Sequence, residues 1–262
     1  MIKNQLSIAS YSFHKLFEEK VIDIFGYIES VRYRYNLDGA DIWNGYLRET
    51  DRDGFKKIRR ELDRRGLKLT SLCCDWAQPW CADNDYGKQC DANAEKFLDA
   101  AEILGAQTVR IDVGVPEENI NEEQFQTVCE KFLRYAKRGA EAGFMFGPEN
   151  HWGASRKLSL QQRLYKEINH PSYGILLHLG NWLLEDGQTL YGNDLAAVPM
   201  TAHTHVDYGY ALAADEWLAD ILNAGYAGAL SVEHHKALSE YEGVAAQLGA
   251  LVYSIKKYEL GV

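Results

Sequence analysis

Positive charge is scarce in this chain, and the common signatures of thiol, nucleotide and membrane chemistry are missing. Lysine and arginine total 28 against 38 aspartates and glutamates, a formal net charge of -10. That balance repels phosphate backbones and anionic lipid, which argues against nucleic acid or membrane as a partner. The five cysteines, Cys73, Cys74, Cys81, Cys90 and Cys129, are odd in number and form no C-x-x-C pair. Neither a disulfide framework nor a thiolate zinc site is indicated, and a reducing cytoplasm is the expected location. No segment approaches the ~20 apolar residues that span a bilayer, and the opening MIKNQLSIASYSFHK has too short an apolar run for a secretory signal. There is no G-x-G-x-x-G after the first apolar run and no G-x-x-x-x-G-K-[ST] anywhere, so the usual nucleotide-binding loops are lacking.

What is present is a rhythm. Helical patterns end in glycine, a short β-branched apolar run follows, and polar or aromatic residues close it. The clearest helix is 122 to 142, where Phe125, Val128, Cys129, Phe132, Leu133, Ala136 and Ala140 fall at helical spacing. Asn121 with Gln124 makes its capping box, and Gly143 its stop. Similar patterns cover 53–65, 87–104, 214–224 and 241–259, with weaker ones at 153–170 and 192–199. Between them lie eight candidate strands near 6–12, 39–43, 67–73, 108–113, 144–149, 173–179, 201–206 and 228–233. Continuous apolar strands alternating with helices imply a parallel sheet buried on both faces. Eight units in 262 residues favour a single (β/α)8 TIM barrel over residues 1–262, with an open doubly wound sheet as the alternative. The hydrophobic share of 46 % and charged share of 25 % are enough to bury such a core. VRYRYN at 31–36 reads as an exposed helix end, two arginines being a poor nucleic-acid patch.

A barrel gathers its site where strands end. The last residues of strands five to eight are Glu149 in GPENHWG, His178 in ILLHLGN, His205 in TAHTHVDYG and Glu233 in LSVEHHK. One such residue is ordinarily a satisfied hydrogen-bonding group. Four in register, including two buried carboxylates that repel each other without a cation, form a ligand set for one divalent metal.

These motifs, PENHWG, LLHLGN, HTHVDY and GYAGALSVEHH, resemble the sugar phosphate isomerase/epimerase family of xylose isomerase-like TIM barrels, within the superfamily of AP endonuclease 2. The resemblance spans the chain and is strongest after residue 144. It implies metal ligands at Glu149, His178, His205 and Glu233. His178 departs from the family, which usually has aspartate there; imidazole makes the shell softer and moves preference from Mg²⁺ toward Mn²⁺, Fe²⁺, Co²⁺ or Zn²⁺. Ketohexose 3-epimerases of the family carry histidine and arginine where this chain has Asn181 and Ala211, which puts that activity in doubt.

The resemblance further implies a keto sugar or related polyol as substrate. The metal acidifies a C–H beside its carbonyl, and Glu149 and Glu233 serve as an acid/base pair through an enediolate. His151 is a further catalytic candidate or an orienting partner of Glu149. The same intermediate can expel a β-leaving group, which makes a lyase acting on a keto-inositol, 3-keto-glycoside or C-glycoside the second reading. A non-catalytic sugar-binding subunit is the third. A DNA-cutting relative is disfavoured by the net charge. Trp43, Asn44, Asp75, Trp76, Arg110, Asn181, Trp182, Asp207 and His235 stand near strand ends and suit a carbohydrate, aromatic faces stacking on rings and polar groups binding hydroxyls. Packing competes for the tryptophans, and an ion pair for Arg110. Family members are commonly dimers or tetramers, so the resemblance implies a homo-oligomer or a partner subunit.

Overall fold

Short apolar runs become strands and long amphipathic ones helices in the computed structural model, which describes residues 6–235 and 239–262. Residues 1–5 of the amino-terminal stretch and Lys236 after EHH lie outside the described residues. The strands are β1 (Leu6–Ile8), β2 (Gly39–Trp43), β3 (Lys68–Cys74), β4 (Thr108–Ile111), β5 (Met145–Gly147), β6 (Ile175–His178), β7 (Thr201–Val206) and β8 (Ala229–Val232). A principal helix follows each: α1 (Ile24–Glu29), α2 (Arg52–Arg64), α3 (Asn84–Leu104), α4 (Glu122–Ala142), α5 (Leu158–Ile168), α6 (Leu190–Ala197), α7 (Leu218–Asn223) and α8 (Glu240–Leu260).

Every ladder is parallel. One runs β1-β8-β7-β6 and the other β2-β3-β4-β5. Parallel bridges Ala9–Asp41, Phe146–Tyr173 and Glu149–Leu176 join the two, so the sheet closes into a TIM barrel. Residues of β6 and β8 are buried on both faces, as strands between a filled interior and a helical ring must be.

Local chemistry sets the helix ends. Asn121 and Gln124 form the reciprocal capping box at the start of α4, and Gly143 ends it at φ 87°. The side chain of Asp51 caps α2, that of Asp83 caps α3, and that of Ser239 caps α8. On α2, Phe55, Ile58 and Leu62 turn one stripe to the core. The uneven segment 153–170 divides into a 3-10 turn, Gly153–Arg156, and α5. Over 31–36 helix α1 runs out in a π-helical turn, Ser30–Arg34, with the Arg34 guanidinium over the Tyr241 ring at 4.1 Å. All five cysteines are free thiols. Among the described residues no helix is long and apolar enough to cross a membrane.

One close approach positions the site. A Cβ on Gly147 would lie 1.5 Å from the carbonyl oxygen of Gly174, so only glycine lets β5 and the entry to β6 run this near each other. Pro148 then cannot donate to the ladder and β5 stops, short of the expected end at Glu149. The Pro148 carbonyl still accepts from Leu176 N at 2.9 Å, and this sets Glu149 beside β6.

Candidate active site

Glu149, His178, His205 and Glu233 converge at the carboxyl end of the barrel, all buried, with one ligand atom of each within 4.8 Å of the others. Strand pairing places His178 opposite His205. Glu149 Oε1 is 3.1 Å from both His178 Nδ1 and His205 Nδ1. Glu233 Oε2 is 3.5 Å from His178 Nδ1 and 3.3 Å from His205 Nδ1. Two donors held roughly 2.1 Å from one ion at near-right to tetrahedral angles would stand roughly 3.0–3.4 Å apart, so these residues fit a divalent cation.

Charge explains why they tolerate burial. Burial alone would raise the pKa of Glu149 and Glu233, but the facing imidazoles, His205 foremost, pull both well below the usual carboxylate range. Burial would lower His205, yet Glu233, Glu149 and Asp41 outweigh it and hold the ring well above its ordinary value.

Three further groups brace this set. Asp41 Oδ2, on β2, meets His203 Nε2 at 2.8 Å and His205 Nε2 at 3.0 Å. Arg110, on β4, donates from a terminal nitrogen to Asp75 Oδ1 at 2.6 Å and Asp112 Oδ2 at 3.2 Å. Its Nε stands 3.2 Å from Glu149 Oε2, an ion pair without hydrogen-bond alignment. Asp112 Oδ2 also accepts from His151 Nδ1 at 2.8 Å and from the Trp152 indole at 3.0 Å. Burial disfavours the His151 cation, but Asp112 and Glu149 prevail and raise its pKa to about 9.

A cavity of about 190 Å³ opens onto the set, lined by Tyr11, Trp43, Asp75, Arg110, His151 and His235 among others. His151 and His235 also line a second, wider recess with His178, Asn181, Asp207 and Tyr208. The remaining expected rim residues take supporting places. Asn44 is buried and exchanges two hydrogen bonds with the Asp75 backbone. Trp43 donates to Asp75 Oδ2 at 2.7 Å, and His235 Nε2 stands 3.3 Å from Glu233 Oε2. Asn181 donates to the carbonyls of Asn150 and His151, and Asp207 caps the short helix Tyr208–Leu212. Trp76 adopts φ 56° with the Arg48 guanidinium over its ring. Trp182 is 3 % exposed, its indole bonded to Asp194 Oδ1, and lines neither cavity.

Residues 25–251 match the family model described as xylose isomerase-like TIM barrel. The chain belongs to that family. Among solved structures it is similar to a xylose isomerase-like TIM barrel protein from Mycobacterium smegmatis in complex with magnesium, with TM-score 0.73, 14 % identity and coverage of 98 % of this chain and 99 % of that one. It is similar to 3-keto-D-glucoside 4-epimerase from E. coli, with TM-score 0.72, 12 % identity and coverage of 97 % and 99 %. It also resembles the probable 3-DHS dehydratase from Bacillus anthracis, with TM-score 0.70, 15 % identity and coverage of 93 % and 97 %. At these identities the likeness establishes the fold. No curated protein matches the sequence.

In this xylose isomerase-like barrel, the sequence reading passed over Asp41, His203, Tyr11, Cys73 and Asp194. Asp41 had one available signal, a lone carboxylate inside the apolar run GADIW. His203 had another, since it lies two residues before His205 and so on the same face of a strand.

Proposed function

We propose that this protein is a divalent-metal-dependent sugar isomerase or epimerase acting on a keto sugar or related polyol by proton abstraction next to the carbonyl. The observation that carries the reading is the group of two carboxylates and two imidazoles about 3 Å apart at the barrel mouth. Glu149, His178, His205 and Glu233 hold the metal, Mn²⁺, Co²⁺, Fe²⁺ or Zn²⁺ in preference to Mg²⁺ because two donors are imidazoles. When bound, such an ion withdraws charge from a carbonyl and its neighbouring hydroxyl and so acidifies the C–H between them.

The chain's own residues supply the rest. Glu149 and Glu233 exchange the proton at their carboxylate oxygens, and an enediolate returned to a different face or carbon gives the epimer or isomer. His151, tied through Nδ1 to Asp112, keeps Nε2 for a substrate oxygen. Trp43, Asp75 and His235 bind hydroxyls and a ring face, with Asn44 holding Asp75. Arg110 is already engaged by Asp75, Asp112 and Glu149, which makes it a poor phosphate clamp and favours an unphosphorylated substrate.

A lyase acting on a keto-inositol or 3-keto-glycoside is the second reading. It is favoured by the placement of His151 beside Asp112 at the cavity, where a departing oxygen would need a proton. The test begins with elemental analysis of protein purified without chelator, followed by incubation with keto sugars in D₂O. About one transition metal per chain and deuterium at the carbon beside the carbonyl are expected; loss of water or aglycone selects the lyase. No metal after supplementation would sink both readings and leave a sugar-binding subunit.

A further inference from the structure

An imidazole offers a metal whichever ring nitrogen its proton does not occupy, and that choice is made by the group on the far side of the ring. For His205 the far side is Asp41. A carboxylate only accepts, so Oδ2 of Asp41 takes Nε2–H from His205 at 3.0 Å and Nε2–H from His203 at 2.8 Å. Nδ1 of His205 faces Glu149 Oε1 at 3.1 Å and Glu233 Oε2 at 3.3 Å, so its proton is the one that a cation bound among these donors would displace, while Nε2–H stays on Asp41.

The backbone is built to aim this carboxylate. The register between β2 and β3 shifts at Asp41: Ala40 pairs with Leu69 and Asp41 with Ser71, so Thr70 of β3 is the extra residue and the ladder is interrupted beside Asp41. Tyr27, fully buried, accepts from Asp41 N at 2.8 Å and shares its one hydroxyl proton between Ile8 O at 2.6 Å and Asp41 O at 2.9 Å, which fixes the backbone at Asp41. Cys73 Sγ contacts Oδ1 of Asp41 at 3.6 Å. His203 is held at Nε2 by Asp41, while its buried Nδ1 has no hydrogen-bond partner, so the ring serves the carboxylate and not a second acceptor.

We propose that Asp41 is a positioning residue that fixes His205 in the Nε2–H tautomer, so that Nδ1 is the metal-ligating atom. The inference rests on the metal site proposed above. Asp41 lies on β2, lines the same cavity, and stands outside the four-donor group, which it meets at His205.

The test titrates chelator-treated wild type, Asp41→Asn and Asp41→Ala with Mn²⁺, following the free ion by electron paramagnetic resonance. Wild type should bind about one Mn²⁺, and both variants should bind it roughly 10–100-fold more weakly. Wild type loaded with Zn²⁺ and labelled with ¹⁵N-histidine should show His205 protonated at Nε2 and ligated through Nδ1, a signature that a merely structural Asp41 would not determine. The spectrum needs no variant, so it decides even where the substitutions fail to fold. Tight Mn²⁺ binding by wild type with unchanged affinity in Asp41→Asn overturns the inference and leaves the metal reading standing, as does a His205 ligated through Nε2. A wild type that binds neither Mn²⁺ nor Zn²⁺ overturns the metal reading and this inference with it.

Discussion

From β5 to β8 the converging donors stand at or just past the strand ends, Glu149 beyond β5, His178 at the end of β6, His205 next to the last residue of β7 and Glu233 directly after β8, whereas β2 to β4 and the turns after them supply Asp41, Asp75, Arg110 and Asp112, none of which joins that four-donor group. The two halves are coupled both along the neighbouring strands β4 and β5 and across the barrel from β2 to β7. Arg110 stands 3.2 Å from Glu149, Asp41 meets His205 at 3.0 Å, and Asp112 meets His151 at 2.8 Å. One half presents chemistry inward while the other fixes charge and proton positions behind it. A buried donor set of this kind needs both, since an unbraced carboxylate or imidazole in a low-dielectric interior would change its protonation state.

Removing the brace should have the largest effect. Arg110 is 4 % exposed and faces three carboxylates, so Arg110→Met removes the guanidinium that all three share and leaves only the His151 and His205 rings to offset Asp112 and Glu149. Breaking a buried ion network by deleting one partner costs about 3–5 kcal/mol. Urea unfolding of the metal-free protein should show a loss of that order, partly recovered when Mn²⁺ is added, because the ion neutralises Glu149 but not Asp75 or Asp112. An unchanged midpoint would mean that the first half is scenery and the coupling between halves is only apparent.

A smaller effect should separate proton transfer from metal binding. His151→Gln keeps a polar group near Asp112 and removes the titratable ring. Turnover should fall about 100-fold, the lower end of what a positioned acid or base contributes, with metal content per chain unchanged. Loss of metal in this variant would instead place His151 among the ligands and dissolve the division between the second strand-end set and its neighbours.

How much of this was legible in sequence differs between the halves for the same reason. In the second half each functional residue closes its apolar run, so HLGN, HTHV and SVEHH announce themselves at a strand end. The bounds of β2, β7 and α4 were readable as well, because glycine, capping and periodicity agree there. In the first half Asp41 sits inside a strand, and its partner His203 is 162 residues away, a contact that exists only after the barrel closes. Trp182 shows the same limit from the other side. Its place after β6 reads as rim, but Asp194 on α6 accepts its indole proton and draws the ring into the packing. Local pattern locates strand ends; which side chains turn toward the axis depends on bulges and on partners from distant strands.

His178 is where the two halves meet least. Asn150 grips its backbone, accepting from His178 N at 2.7 Å and donating to His178 O at 2.9 Å, and the described contacts of its ring nitrogen Nδ1 are with Glu149 and Glu233, both on its own half. It is also the position that departs from the aspartate usual in the family. The smallest effect is therefore expected from His178→Asp: the backbone grip survives, the donor becomes a harder oxygen, and no charge on β2 to β4 needs to be rearranged. The ratio of Mg²⁺ to Mn²⁺ affinity, measured by competition calorimetry, should move toward Mg²⁺ by about tenfold, the factor that ~1.4 kcal/mol of changed ligand preference represents. An identical ratio would take His178 out of the ligand set and leave a three-residue site of Glu149, His205 and Glu233, in which every imidazole that binds metal is one that a carboxylate on the opposite half has oriented.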